Sequence, residues 1–388
     1  MSNRGRIVLI AGFVLIAWNM RPALAGVSPL LGDIMAELHL SPAAGGAITT
    51  VMVLCLGLLG PLAPALAGRL GLDRTVLVAL LLLLTGVVLR SLDGPPALYG
   101  GAVLAGAAIA IMNVAMPAVC KQHFPDRIGT FTGIYVSCLV AGAAAASAVM
   151  VPLAGRVGWR AALGSAAVLA AVAALLWLPQ ALRPQPAAGR PTGHRPYGTL
   201  LRSPTTWAVT AFMGLQSMTF YIVLAWLPTI FQDAGLPADQ GGYLLGLTNL
   251  AQIAATLTVP VHAGRARSQA PHVAAAALLT TAGYACVLLL PTTLPWLWMI
   301  VLGLGQGASI ALALLIIAQR APDPASVTAL SAIAQSIGYV LAALGPVAIG
   351  LIHQVSGGWT VPLLAGIGVC LLQLAAGVLA GRPRPATA

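Results

Sequence analysis

The sequence predicts an all-α protein that crosses a membrane twelve times. Three observations carry that fold class. Of its 388 residues, 59% are hydrophobic and only 7% charged, whereas a water-facing domain carries about 25% charged residues. Long apolar runs recur along the whole chain, and about 20 such residues suffice to span a hydrocarbon core of ~30 Å. The 43 glycines and 28 prolines suit membrane helices, whose freed backbone groups are re-satisfied by neighbouring helices.

Spans are expected at residues 7–31, 43–67, 75–92, 97–120, 129–153 and 159–179, then at 205–231, 237–261, 271–290, 295–318, 325–353 and 358–380. Arg4, Arg6 and the Ala23-Leu24-Ala25 triplet imitate a signal peptide with its cleavage site. The length of the first run and its Arg21-Pro22 pair read instead as a retained first helix. QALRPQPAAGRPTGHRPYGTLLRS, at 180–203, is rich in Pro, Gly and Arg and reads as an extended connection. The expected organisation is an N-terminal six-helix bundle at 1–181, a cytoplasmic linker at 182–203 and a C-terminal six-helix bundle at 204–388.

A net charge of +11 invites a nucleic-acid reading, but the charges lie in the loops. With the N-terminus inside, Arg90, Arg156 and Arg160 fall outside and Arg21 falls within the membrane; the other fifteen of the nineteen Lys and Arg fall inside. Asp33, Glu37, Asp93, Asp233 and Asp239 fall outside. That asymmetry predicts both termini and the central loop in the cytoplasm. The five cysteines lie in or at the ends of apolar runs without CxxC spacing, so no metal site or disulfide framework is expected. No nucleotide-binding, metalloprotease or acid–base constellation is present, so neither an enzyme nor a cofactor is expected.

After the second span the chain reads GRLGLDR, residues 68–74. Two glycines permit a tight turn, and Arg69, Asp73 and Arg74 can pair with neighbouring helix ends. This loop, six spans either side of a linker, and the related AGRARSQA at 263–270 resemble the major facilitator superfamily. The second copy keeps Gly264 and Arg265 but lacks the acid. Within that superfamily the chain resembles the cyanate and nitroimidazole transporter family (CynX/NimT). The resemblance rests on NMRPALAGVSPLL (19–31), NVAMPAVCKQHFP (113–125), QSMTFYIVLAWLPTI (216–230) and AQSIGYVLAALGP (334–346). It implies two six-helix bundles, alternating access, and a central cavity lined by spans 1, 4, 7 and 10.

Polar residues in those spans are the candidate ligands. Arg21 is the only charge deep in a predicted span, where an arginine costs about 2.5–3.5 kcal/mol on insertion scales. It reads as an anion ligand in a wet cavity; the alternative is a structural arginine bonded to carbonyls, including that of Trp18, which Pro22 leaves free. Helical spacing puts Trp18, Arg21, Ala25 and Ser28 on one face, and Asn19 toward another helix. Asn113, Gln216, Tyr221 and Gln306 are the neutral candidates, while Trp226 reads as an interface anchor. Gly68, Arg69, Gly71, Asp73 and Arg74, with Asn249, Gln252 and Gln335, are expected to serve gating; the last three are expected to bond between helices.

No Asp or Glu lies deep in any span, which disfavours coupling through a buried acid. A proton carried with the substrate, anion exchange and downhill flux all stay open. The fifth span's GAAAASAVMVP lacks the Gly-Pro pair of drug antiporters. The expected partners are a small, anionic substrate and the lipid bilayer, with no nucleic acid, for a monomeric carrier. Export of a nitroimidazole-like heteroaromatic is the alternative.

Overall fold

The computed structural model describes residues 3–124, 128–183, 197–320 and 324–382, so residues 184–196 of the expected linker lie outside the described residues. Among the described residues, eleven helices are long and apolar enough to cross a membrane, and the sixth span contributes the 16-residue helix Ala166–Ala181. The contacts divide the chain into two compact units. Unit 1 holds Met1–Leu40 and Val51–Thr192; unit 2 holds Ser41–Thr50 and Gly193–Ala388.

In unit 1 the first span is not one helix. α1 (Asn3–Asn19) stops before Arg21, α2 (Pro22–Ala25) is a single turn, a 3-10 turn follows at Ser28–Leu30, and α3 (Leu31–Glu37) completes the segment. Pro22 has no N–H and its ring collides with the Trp18 carbonyl, so α1 cannot continue through it. Pro29 sits in the first turn of the 3-10 element. The helical-face argument of the sequence therefore holds only as far as Asn19. Asn19 itself bonds as expected toward another helix, donating to Leu15 O at 2.8 Å and to Leu169 O at 3.2 Å.

The second span is likewise two pieces, α4 (Pro42–Leu59) and α5 (Leu62–Leu70). Then come α6 (Leu72–Arg90), α7 (Pro95–His123), α8 (Ile128–Gly164) and α9 (Ala166–Ala181). Gly71 turns the chain between α5 and α6 at φ 87°, a value that favours glycine. α6 packs on α7 and α9, and α1 on α8 and α9. α9 is inverted relative to a soluble helix: Ala166, Ala170, Ala173 and Ala174 are buried, while Val168 and Leu175 are 64% and 68% exposed. Small residues inward and large apolar ones outward fit a helix that packs closely on protein and faces lipid.

Unit 2 contains α10 (Tyr197–Arg202), α11 (Pro204–Asp233), α12 (Ala238–Ala263), α13 (Ala270–Leu289), α14 (Pro295–Arg320), α15 (Pro324–Ser356) and α16 (Thr360–Gly381). α11 packs against α15 and α16, and α14 against α12 and α13. One apolar core gathers Val209, Phe212 and Met213 of α11 with Leu312 and Ile316 of α14. Residues 41–50 belong here because backbone meets backbone: a Cβ on Gly46 would stand 2.4 Å from Pro346 O, and one on Gly350 2.4 Å from Pro42 O. Thr50 Oγ1 donates to Ala343 O at 2.7 Å and accepts from Val347 N at 3.2 Å. The hydroxyl thereby adds a side-chain bridge to one turn of α15 beside Pro346.

Three expectations are corrected. Trp226 is no interface anchor: it is fully buried and donates to Pro346 O at 2.8 Å. Arg90 is no loop cation but a 1% exposed residue at the end of α6. Arg320 is buried too, donating to Gln269 Oε1 at 2.8 Å and to the carbonyls of Ala380 and Gly381 at 3.2 and 2.9 Å. Burial pulls its pKa below the usual arginine value, and those acceptors favour the charged form.

Candidate substrate site

In unit 1, Arg21 sits in the gap between α1 and α2 with φ −116° and ψ −34°, half-buried. α8 supplies Tyr135, whose phenol lies within electrostatic range of Arg21. The Tyr135 hydroxyl donates to Asn113 Oδ1 of α7 at 3.5 Å, the outer limit of a hydrogen bond. Tyr135 and Asn113 thus meet from α8 and α7, with Arg21 in electrostatic range of the phenol, and all three are half-buried. Trp18 is half-buried one turn before the break. Gly142 of α8 closes on the same place: a Cβ there would lie 2.6 Å from Trp18 O and 3.4 Å from the Pro22 ring. Tyr135 escaped the sequence reading because the fifth span was weighed for its small residues alone.

The remaining candidates belong to unit 2. Gln216 is 3% exposed and its amide donates within α11, to Met213 O at 3.1 Å and Ser217 Oγ at 2.7 Å. Tyr221 is 1% exposed and meets Tyr339 edge-on at 6.3 Å. Gln306 of α14 donates to Thr219 O at 3.3 Å, while its buried Oε1 has no hydrogen-bond partner among the described residues. Around it runs a network that the sequence reading missed. Tyr284 donates to Thr219 O at 2.8 Å, Thr219 Oγ1 meets Gln373 Oε1 at 3.1 Å, and Gln373 Nε2 donates to Ser309 Oγ at 3.0 Å. Gln373 is the lone amide of α16, the signal from which the network was readable. A buried chain of neutral donors and acceptors fixes α11, α13, α14 and α16 together without placing charge in the membrane.

The 68–74 stretch, expected as a loop, is helical on both sides of Gly71 and partly enclosed. Gly68 and Arg69 are exposed, whereas Asp73 is 3% exposed. Asp73 Oδ1 lies 2.7 Å from His123 Nε2, and Gln122 Nε2 donates to Asp73 Oδ2 at 3.1 Å. Trp177 Nε1 donates to Asp73 O at 3.1 Å, and Arg74 Nε to Ala181 O at 3.1 Å, so the loop ties α6 to α7 and α9. In unit 2 the corresponding loop, without an acid, uses Gln269 to accept from Arg320. Asn249, Gln252 and Gln335 depart from the expected bonding between helices. Asn249 donates to Leu245 O at 3.0 Å, Gln252 to Asn249 Oδ1 at 3.5 Å, and Gln335 to Ser331 Oγ at 2.7 Å, each within its own helix. A long amide reaches the preceding turn of its own helix at little entropic cost, so the local partner wins.

The described helices are similar to those of the nucleoside transporter NupG, with TM-score 0.81 and 14% identity, over 96% of this chain and 99% of that one. That likeness speaks for the fold. The chain is 38% identical to the 2-nitroimidazole transporter of Escherichia coli (strain K12), over 99% of this chain and 98% of the relative. It is 30% identical to the cyanate transport protein CynX of the same organism, over 93% of this chain and 95% of the relative. The sequence pattern of the Major Facilitator Superfamily matches residues 7–346. The protein is therefore a membrane transporter, not an enzyme, and belongs to the Major Facilitator Superfamily, with its twelve-helix fold of two six-helix bundles.

Proposed function

We propose that this transporter carries a small anion, such as cyanate, another small oxyanion or a carboxylate, across the bacterial inner membrane by alternating access. Arg21 is the anion's ligand. The observation that supports this reading is the placing of Arg21 at the break of the first span, within electrostatic range of Tyr135, which pairs with Asn113. A guanidinium offers a planar fork of donors that matches a carboxylate or nitro group better than an ammonium does. Tyr135 and Asn113 add neutral hydrogen bonds, and Trp18 forms an apolar wall. Gln216, Tyr221 and Gln306 orient the substrate from unit 2. Bundles 1–181 and 204–388 alternate about the 182–203 linker, with both termini cytoplasmic and the carrier monomeric. The loop of Gly68, Arg69, Gly71, Asp73 and Arg74 locks one state, and Asn249, Gln252 and Gln335 stiffen moving helices.

The test is a thermal-shift screen against cyanate, nitrate, small carboxylates and 2-nitroimidazole, repeated with Arg21→Ala and Arg21→Lys. A ligand at 100 times its Kd adds about 2.7 kcal/mol of stability. That shift should vanish in Arg21→Ala and fall in Arg21→Lys. Equal shifts in all three proteins would sink the role of Arg21.

A second reading is export of a nitroimidazole-like heteroaromatic, favoured by the 38% identity to the 2-nitroimidazole transporter. Arg21 would then donate to a nitro group. Current across proteoliposome membranes separates the two, since a neutral heteroaromatic moving alone carries none.

A further inference from the structure

We propose that Arg90 is the positioning residue of the Arg21 site, holding the broken first span in place by the carbonyl of Ala23. The inference rests on the reading of Arg21 as ligand. Arg90 ends α6 and is 1% exposed. It is brought inward by backbone-to-backbone packing of α6 on α7: a Cβ on Gly101 would stand 2.4 Å from Arg90 N, and one on Gly86 2.6 Å from Ala105 N. From there its Nη1 donates to Ala23 O.

That carbonyl needs a partner. α2 ends at Ala25, so the last carbonyls of its single turn have no N–H ahead within the helix. Leu24 and Ala25 donate back to Arg21 O, and Gly26 to Pro22 O. Arg90 serves Ala23 from another helix, two residues beyond Arg21.

Among the described residues no carboxylate pairs with Arg90, and its Nε has no hydrogen-bond partner. A buried cation kept for stability alone is normally paired with an acid, because its desolvation costs several kcal/mol. Here its recorded partner is the turn that presents Arg21. Fixing Ala23 fixes the direction in which the chain leaves the break, and with it the angle of the Arg21 side chain.

The test measures position directly. In a background without the five native cysteines, Arg21→Cys is labelled with an anionic methanethiosulfonate in nanodiscs. Adding Arg90→Met should change the labelling rate at least fivefold, and Arg90→Lys should restore it to within about twofold, since one donor suffices for one carbonyl. Should Arg90→Met fail to fold, Arg90→Gln, too short to reach Ala23, is expected to shift the rate in the same direction. An unchanged rate in whichever of these folds overturns the proposal. Binding of 2-nitroimidazole and cyanate to single variants keeps the two readings apart. If Arg21→Lys binds as the parent does while Arg90→Met still alters labelling, the ligand role falls and the positioning role stands.

Discussion

Tyr135 donates its hydroxyl to Asn113 across two helices at 3.5 Å, within electrostatic range of Arg21. A bond that long contributes little to folding, so its components are free to turn toward a ligand. Tyr135→Phe is expected to lower unfolding stability by less than about 1 kcal/mol while weakening substrate binding about three- to tenfold. Ligand-induced thermal shifts alongside ligand-free unfolding check both halves. Unaltered affinity would remove Tyr135 from the site.

Gly142 makes a different kind of contact with the same region. Alanine there would press its methyl carbon to 2.6 Å from Trp18 O, and overpacking of that kind costs about 1–3 kcal/mol. Gly142→Ala should therefore unfold at a lower temperature in detergent, and Gly142→Leu should fail to accumulate. Wild-type melting of the alanine variant would mean that α8 can retreat from the break.

Asp73 reaches His123 and Gln122 from the other end of α6. Asp73→Asn keeps the shape but weakens a charge-assisted bond. If this loop serves movement rather than binding, the maximal transport rate should fall about tenfold with substrate affinity within about twofold. Flux in proteoliposomes, set against equilibrium binding, makes the comparison. A loss of affinity with the rate preserved would contradict the gating role.

Thr50 Oγ1 bridges Ala343 O and Val347 N on one turn of α15. Thr50→Val would remove two part-buried side-chain hydrogen bonds, worth about 0.5–1.5 kcal/mol each. A lower unfolding temperature is expected, with partial recovery in Thr50→Ser. No change in either variant would show that the bridge is dispensable to α15.

The spans were legible because lipid demands long apolar helices, and Arg21 because a charge in such a run has few bland explanations. What escaped is what one-dimensional spacing does not carry. Arg90 sits at a span end and was counted with the loops, yet it is more enclosed than Arg21. Depth along a helix and burial among helices are different quantities, and Gly86 and Gly101 decide the second. Asn249 and Gln335 were expected to cross between helices, but a flexible amide finds its own preceding turn first. Tyr135 and Asn113 meet only because α7 and α8 bring together positions 22 residues apart. The Pro22 break was readable, whereas the second interruption at Ser28–Leu30 was not separated from it.

The ten residues Ser41–Thr50 pack with unit 2 although the rest of α4 packs with unit 1. During synthesis, that strip leaves the ribosome well before α15, against which Gly46 and Thr50 close. Pairing between segments so far apart in the chain is slow to form. The second unit is thus completed by material made long beforehand. Expressed alone from residue 193 onward, it would lack Thr50 and leave the turn of α15 beside Pro346 without its cover.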